Sequence, residues 1–167
     1  MGFVNSLKKA VKQNKPNSKL APQSSSKAGE KYKEEIIDIV GEDYCLKNIM
    51  KLGQKNSDYS DSTQVNIEND LAMKKIFQYN FINKPVSLVP EPTNKHDKNA
   101  IMVCIANKKV GYIPADLTAH IRRIFSGDVK FISAFVSGGK YKVVSTNGDV
   151  DEGEYRINIR VRIGYKG

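Results

Sequence analysis

The chain has 167 residues and a formal charge of +9, with 27 Lys+Arg against 18 Asp+Glu. Residues 1–33 hold eight lysines and one acid, Glu30, so that stretch is +7 and residues 34–167 are close to neutral at +2. No run approaches the ~20 apolar residues of a membrane-spanning helix, and two well-separated cysteines, Cys45 and Cys104, exclude a disulfide framework or a Cys-rich zinc site.

Phe3, Val4, Leu7, Ala10 and Val11 recur at helical spacing among Lys8, Lys9, Lys12 and Lys15, the pattern of a short basic amphipathic helix. Residues 14–33 are rich in Ser, Gln, Lys and Pro and read as a disordered linker, making 1–33 a basic tail. The opening Met-Gly-Phe-Val-Asn-Ser fits the loose N-myristoylation pattern, which requires a eukaryotic enzyme. Lacking an apolar leader and rich frameworks of cysteine, the sequence points to a reducing, cytoplasmic setting.

The folded domain is expected over 34–167. Glu34 to Gly41 is β-branched and closed by glycine, a strand. In Cys45 to Gly53, Leu46, Ile49 and Met50 share a helical face. Gln54 to Asn66 reads as a polar loop, and Leu71, Ala72, Ile76 and Phe77 suggest a second helix over Glu68 to Tyr79. Val86 to Val89 is a strand stopped by Pro90-Glu-Pro92. Ala100 to Ala106 and Lys109 to Ile113 form two more around Asn107-Lys108. Pro114-Ala-Asp116 starts a helix with Leu117, Ile121, Ile124 and Phe125 on one face. Val129 to Val136 and Tyr141 to Ser145 flank Gly138-Gly139 as a hairpin. In Glu154 to Tyr165, Tyr155, Ile157, Ile159, Val161 and Ile163 point one way, and Arg156, Asn158, Arg160 and Arg162 the other. The predicted fold is mainly β, a small OB-like barrel of about six strands with two or three peripheral helices.

The densest pattern is Leu88-Val-Pro-Glu-Pro-Thr-Asn-Lys-His-Asp-Lys-Asn-Ala-Ile-Met-Val103 followed by Lys109-Val-Gly-Tyr-Ile-Pro114. Its prolines and Asn94, Asp97 and Asn99 are turn formers that project side chains from a loop. His96 offers a flat ring between Lys95 and Lys98, cations suited to phosphate. A solvated loop histidine explains the same residue. His96 and His120 lack metal-ligand spacing.

These residues resemble the HIRAN domain, which precedes the motor in some fork-remodelling helicases and also stands alone in bacterial and phage proteins. Val40-Gly41 and Tyr44 are similar to the family's opening strand and turn, extending the resemblance over roughly 34–165. It implies an OB-like barrel that binds single-stranded DNA at a free 3′ end. On this resemblance Tyr44 and His96 stack on bases, and Asp97 accepts a hydrogen bond from the terminal 3′-hydroxyl. Tyr112 lies near a phosphate, and Tyr141 aligns loosely with a third stacking aromatic. Asp43 and Ala115 stand where helicase-type members carry arginine and lysine, which removes two cations from the cleft. Arg156, Arg160 and Arg162, spaced near the phosphate repeat on one strand face, are candidate replacements alongside Lys95 and Lys98. A solvated outer sheet face explains the same arginines.

The expected function is therefore a DNA-binding module without chemistry or a cofactor of its own, serving repair or fork processing with a helicase or nuclease on another chain. The alternatives are a protein-interaction adaptor with a non-specific basic tail, and a metal-dependent nuclease using Glu91, His96 and Asp97.

Overall fold

The computed structural model describes residues 32–60 and 73–167. The expectations for the basic helix, for the linker before Tyr32 and for the start of the helix at Glu68 lie outside these residues; Lys33, the last residue of the expected linker, instead begins the first strand.

Strand β1 (Lys33–Asp38) leads through Val40 and Gly41 into a 3-10 turn (Glu42–Cys45) and helix α1 (Leu46–Met50). Short elements follow: β2 (Gln54–Lys55), α2 (Ser57–Ser60), β3 (Lys75–Phe77) and β4 (Tyr79–Asn80). Then come β5 (Val86–Pro90), β6 (Ile101–Ile105), β7 (Lys108–Tyr112), a 3-10 turn (Ala115–Leu117) and α3 (Thr118–Phe125). Two 16-residue strands, β8 (Val129–Val144) and β9 (Val150–Tyr165), end the fold.

The chain is mainly β, as composition and periodicity predict. Its strands make antiparallel sheets of order β1-β9-β8-β3, β2-β4 and β5-β6-β7. The four-stranded and three-stranded sheets meet where Ile39 donates to the Ile159 carbonyl at 3.0 Å and Val40 exchanges bonds with Tyr112 at 2.9 and 2.8 Å. At Val40 the chain thus passes from one sheet to the other. Ile37, Ile39, Val103, Ile105, Val110, Ile157, Ile159, Val161 and Ile163 fill the space between them, closed by Ile49 of α1 and by Ile121 and Ile124 of α3. Deleting one such side chain costs about 2–5 kcal/mol when cut to alanine.

Four expectations change. The sheets do not close into a barrel: the Val40–Tyr112 bridge joins them on one side, while among the described residues no ladder joins β5 to β3. Short β3 pairs instead with the far part of β8, Lys75 opposite Val143 and Phe77 opposite Tyr141. That pairing also overturns the helix expected through Tyr79, because Ile76 alone is buried between solvent-facing neighbours and sheet pairing satisfies the backbone. The polar loop after Gly53 contains β2 and α2. Gly138-Gly139 is not a hairpin turn but a bulge inside β8, with φ of 99° and 90°; positive φ suits a bulge as well as a turn. The reversal lies later, where Ser145 donates its amide to Asp149 at 2.9 Å and Gly148 donates to Ser145 at 3.0 Å.

Candidate nucleic-acid interface

The loop between β5 and β6 is closed by the Glu91 amide on the Ala100 carbonyl at 2.9 Å. Inside it, one side chain organises the rest. Asn94 Oδ1 accepts from the His96 amide at 2.9 Å and the Asp97 amide at 3.2 Å. Asn94 Nδ2 donates to Glu91 Oε2 at 2.8 Å and to the Tyr112 hydroxyl at 3.2 Å. Both ends of the amide are used, so the loop has little freedom to collapse. Asp97 Oδ1 accepts from the Asn99 amide at 2.7 Å, the Asx turn expected of it. Its Oδ2 accepts no hydrogen bond among the described residues. Arg122 of α3 holds the far side through the Asn99 carbonyl at 3.2 Å. The His96 ring and the Lys95 and Lys98 chains are exposed, and these lysines form no ion pair among the described residues.

Beneath the loop, the Tyr112 hydroxyl donates to Glu91 Oε2 at 2.7 Å and accepts from Lys109 Nζ, whose ammonium lies 4.2 Å from the Tyr112 ring centroid. The Tyr112 and Asn94 bonds hold the Glu91 carboxyl below its ordinary range, and Tyr112 holds the Lys109 ammonium above its own. Asn48 of α1 fixes β7 here by donating to the Lys109 carbonyl at 3.0 Å.

The second part of the site is the turn after β1. Gly41 adopts φ 79°, a left-handed conformation that redirects the chain. It packs against the Tyr112 ring, where a Cβ would lie 3.8 Å from Cδ2. Three residues later Tyr44 is 96% exposed, the most solvent-facing large hydrophobic among the described residues. The Val40–Tyr112 pairing therefore anchors against Tyr112 the start of the turn that carries this bare ring.

Asp43 does not stand as a free acid. Arg156 Nη2 contacts Asp43 Oδ2 at 2.7 Å and Glu42 Oε1 at 3.0 Å. Glu42 is buried, and its Oε2 has no hydrogen-bond partner among the described residues. The other two arginines are likewise matched: Arg160 to Asp38 at 2.9 Å, and Arg162 Nε to Glu34 at 2.8 Å. These pairs make the outer sheet face, with exposed Ile36 and Phe135 between them, an ion-paired surface and not a stripe of uncompensated cations. Ala115 opens the 3-10 turn before α3.

The structure thus gathers Tyr112 with the His96–Asp97 loop, and places Tyr44 on the turn whose first residues, Val40 and Gly41, pack against Tyr112. Tyr141 lies in a different group, stacked on Tyr155 with ring centroids 4.9 Å apart. In the sequence Asn94 reads only as a turn former, and Lys109 carries no role. The signal for Asn94 was its position three residues after Glu91 and two and three before His96 and Asp97. For Lys109 it was only the i+3 relation to Tyr112.

A family model described as HIRAN domain matches residues 56–166. That span includes the loop, Tyr112 and Tyr141, and begins after Tyr44. No curated protein and no solved structure matches.

Proposed function

The chain belongs to the HIRAN domain family, and from that membership we propose that it is a DNA-binding module that captures single-stranded DNA by its free 3′ end. The Asn94-organised loop is the observation that carries this reading. It holds the His96 ring and one uncommitted Asp97 oxygen on a fixed backbone, and the exposed Tyr44 ring stands on the turn that packs against Tyr112. Rings with open faces stack on bases without regard to sequence. The Asp97 carboxylate accepts a hydrogen bond from a terminal hydroxyl, whereas a terminal phosphate dianion brings like charge and no O–H to donate. Lys95, Lys98 and Lys109 supply the cations that the ion-paired arginines do not. No reaction is required of these residues. The DNA end would be delivered to a helicase or nuclease on another chain during repair or fork processing.

The test compares binding of the full chain to oligonucleotides ending in 3′-hydroxyl or 3′-phosphate. Wild type should prefer the hydroxyl, and Asp97→Ala should erase that preference. Equal weakening of both ends together with a lower melting temperature would reduce Asp97 to a loop-pinning acid. Degradation of the labelled strand on adding a divalent metal would instead favour the nuclease reading.

A protein-interaction adaptor is the second reading, favoured by the exposed Ile36 and Phe135, 64% and 53% accessible, on the outer sheet face. Under that reading, single-strand affinity disappears when residues 1–33 are removed.

A further inference from the structure

Past the bulge at Gly138-Gly139, the core-facing side of β8 and β9 continues beyond the buried aliphatics. Ile157 is 7% accessible, while Tyr155, two residues earlier on the same face, is 46% accessible. Tyr155 stands opposite Gly139, and Tyr141 opposite Gly153. Each ring therefore faces a cross-strand residue with no side chain. Tyr141 leans over Gly153, and the two rings stack with centroids 4.9 Å apart and planes 26° from parallel. A Cβ on Gly153 would fall 2.6 Å from the Tyr141 ring, so the glycine is a condition of the arrangement. Phe77, opposite Tyr141 on β3, backs both rings at 5.8 and 6.5 Å. Lys75 Nζ lies 5.6 Å from the Tyr141 centroid and 5.3 Å from that of Tyr155.

This group has the make-up of a ligand surface more than of a packing cluster. Three rings support one another, yet nearly half of Tyr155 remains open to solvent. The cation beside it is adjacent to the open ring. Strand alternation turns Glu152 and Glu154 to the opposite face, where Lys142 pairs with Glu152 at 3.5 Å. Asp151 stays on the Lys75 face, opposite Val143. A flat π surface with an ammonium at its edge suits a nucleobase on the ring and its phosphate at the lysine.

We propose that Tyr155, backed by Tyr141 and Phe77 and flanked by Lys75, is a second base-stacking surface for single-stranded nucleic acid, separate from the loop at Asn94–Asp97. The proposal rests on the reading that this chain binds single strands. It makes the occupied strand longer than the loop cleft alone requires.

The experiment uses the full chain and oligothymidylates of about 4 and about 16 nucleotides, the range occupied by small single-strand-binding domains. Affinity and its salt dependence are measured for wild type and for Tyr155→Leu, Tyr155→Trp and Lys75→Gln, alongside melting temperatures. Tyr155→Leu keeps apolar bulk but loses the π face; it should weaken the long strand ~5-fold or more and leave the short strand unchanged. Tyr155→Trp should retain or tighten long-strand binding, and Lys75→Gln should lower the salt slope by about one counterion. Unchanged long-strand affinity in Tyr155→Leu overturns the proposal, as does equal loss for both lengths with a lower melting temperature. Tyr44→Ala and Asp97→Ala separate the two sites. If they have no effect while Tyr155→Leu does, the loop reading fails and the second surface stands. If only they weaken binding, the reverse holds.

Discussion

The Tyr112 hydroxyl donates to Glu91 Oε2 at 2.7 Å, joining the last residue of β7 to the first residue of the loop after β5. This bond, with the Asn94 amide, lowers the Glu91 carboxyl pKa. A carboxylate depressed in the folded state stabilises the fold above its unfolded pKa, and that contribution disappears as pH falls through the folded value. Tyr112→Phe should therefore raise the Glu91 titration midpoint followed by carboxyl NMR. Wild type and variant should differ in stability at neutral pH and converge in acid. An unmoved midpoint would mean that the hydroxyl is not its partner in solution.

Asn94→Ala removes four hydrogen bonds and leaves the His96 and Asp97 amides without acceptors. At about 0.5–1 kcal/mol net for each of the four bonds in a half-exposed site, a destabilisation of about 2–4 kcal/mol is expected. Amide exchange at His96 and Asp97 should accelerate before exchange in β6 does. Loss of protection spread evenly over the domain would contradict a local role.

Tyr44→Ala should behave in the opposite way. The side chain is almost wholly solvent-facing, so the melting temperature should stay within a degree or two. Single-strand affinity should fall ~5- to 150-fold, since one stacked base is worth roughly 1–3 kcal/mol. Retained affinity would remove the turn from the interface.

The arginines of β9 should not be equivalent. Arg156→Ala strips the partner from Glu42, a buried carboxylate whose other oxygen is already unpaired, and should cost about 1–3 kcal/mol. Arg160→Ala breaks an exposed pair with Asp38 and should cost less than about 1 kcal/mol. Chemical denaturation of the two variants checks the ranking. Equal losses would show that the burial of Glu42 carries no weight.

For the basic segment, deleting residues 1–33 should flatten the dependence of DNA affinity on salt, because it removes +7 of charge. A slope that stayed the same would assign the phosphate contacts to the folded domain.

Much of the fold was legible because the periodicity was strong. In β9, four alternate aliphatics from Ile157 to Ile163 are buried as the alternation predicts. Helix α3 likewise buries Ile121 and Ile124. Reading failed where a segment takes its structure from a distant partner. Lys75–Phe77 has helical spacing around it, but β8 supplies a sheet edge some 65 residues later. Paired glycines specify positive φ and not its use, so the bulge in β8 read as a turn. The outward-facing arginines were correctly placed, but their acids lie on β1 and the following turn, more than 110 residues earlier. Charge pairing across that separation leaves no local mark. At the site, the turn residues were visible, whereas the use of Asn94 as the hub between loop and Tyr112 depends on β5 and β7 being set side by side through β6.

Strand β1 pairs with β9 from Lys33 opposite Tyr165 to Asp38 opposite Arg160. The first strand described is thus completed by one that is synthesised more than 100 residues later. During translation, its exposed edge and the aliphatic face it carries must wait until β9 has left the ribosome. Such a high-contact-order closure is slow compared with a helical domain of similar size. In vivo, the yield of this protein should depend on chaperones that shield the nascent chain until β9 emerges.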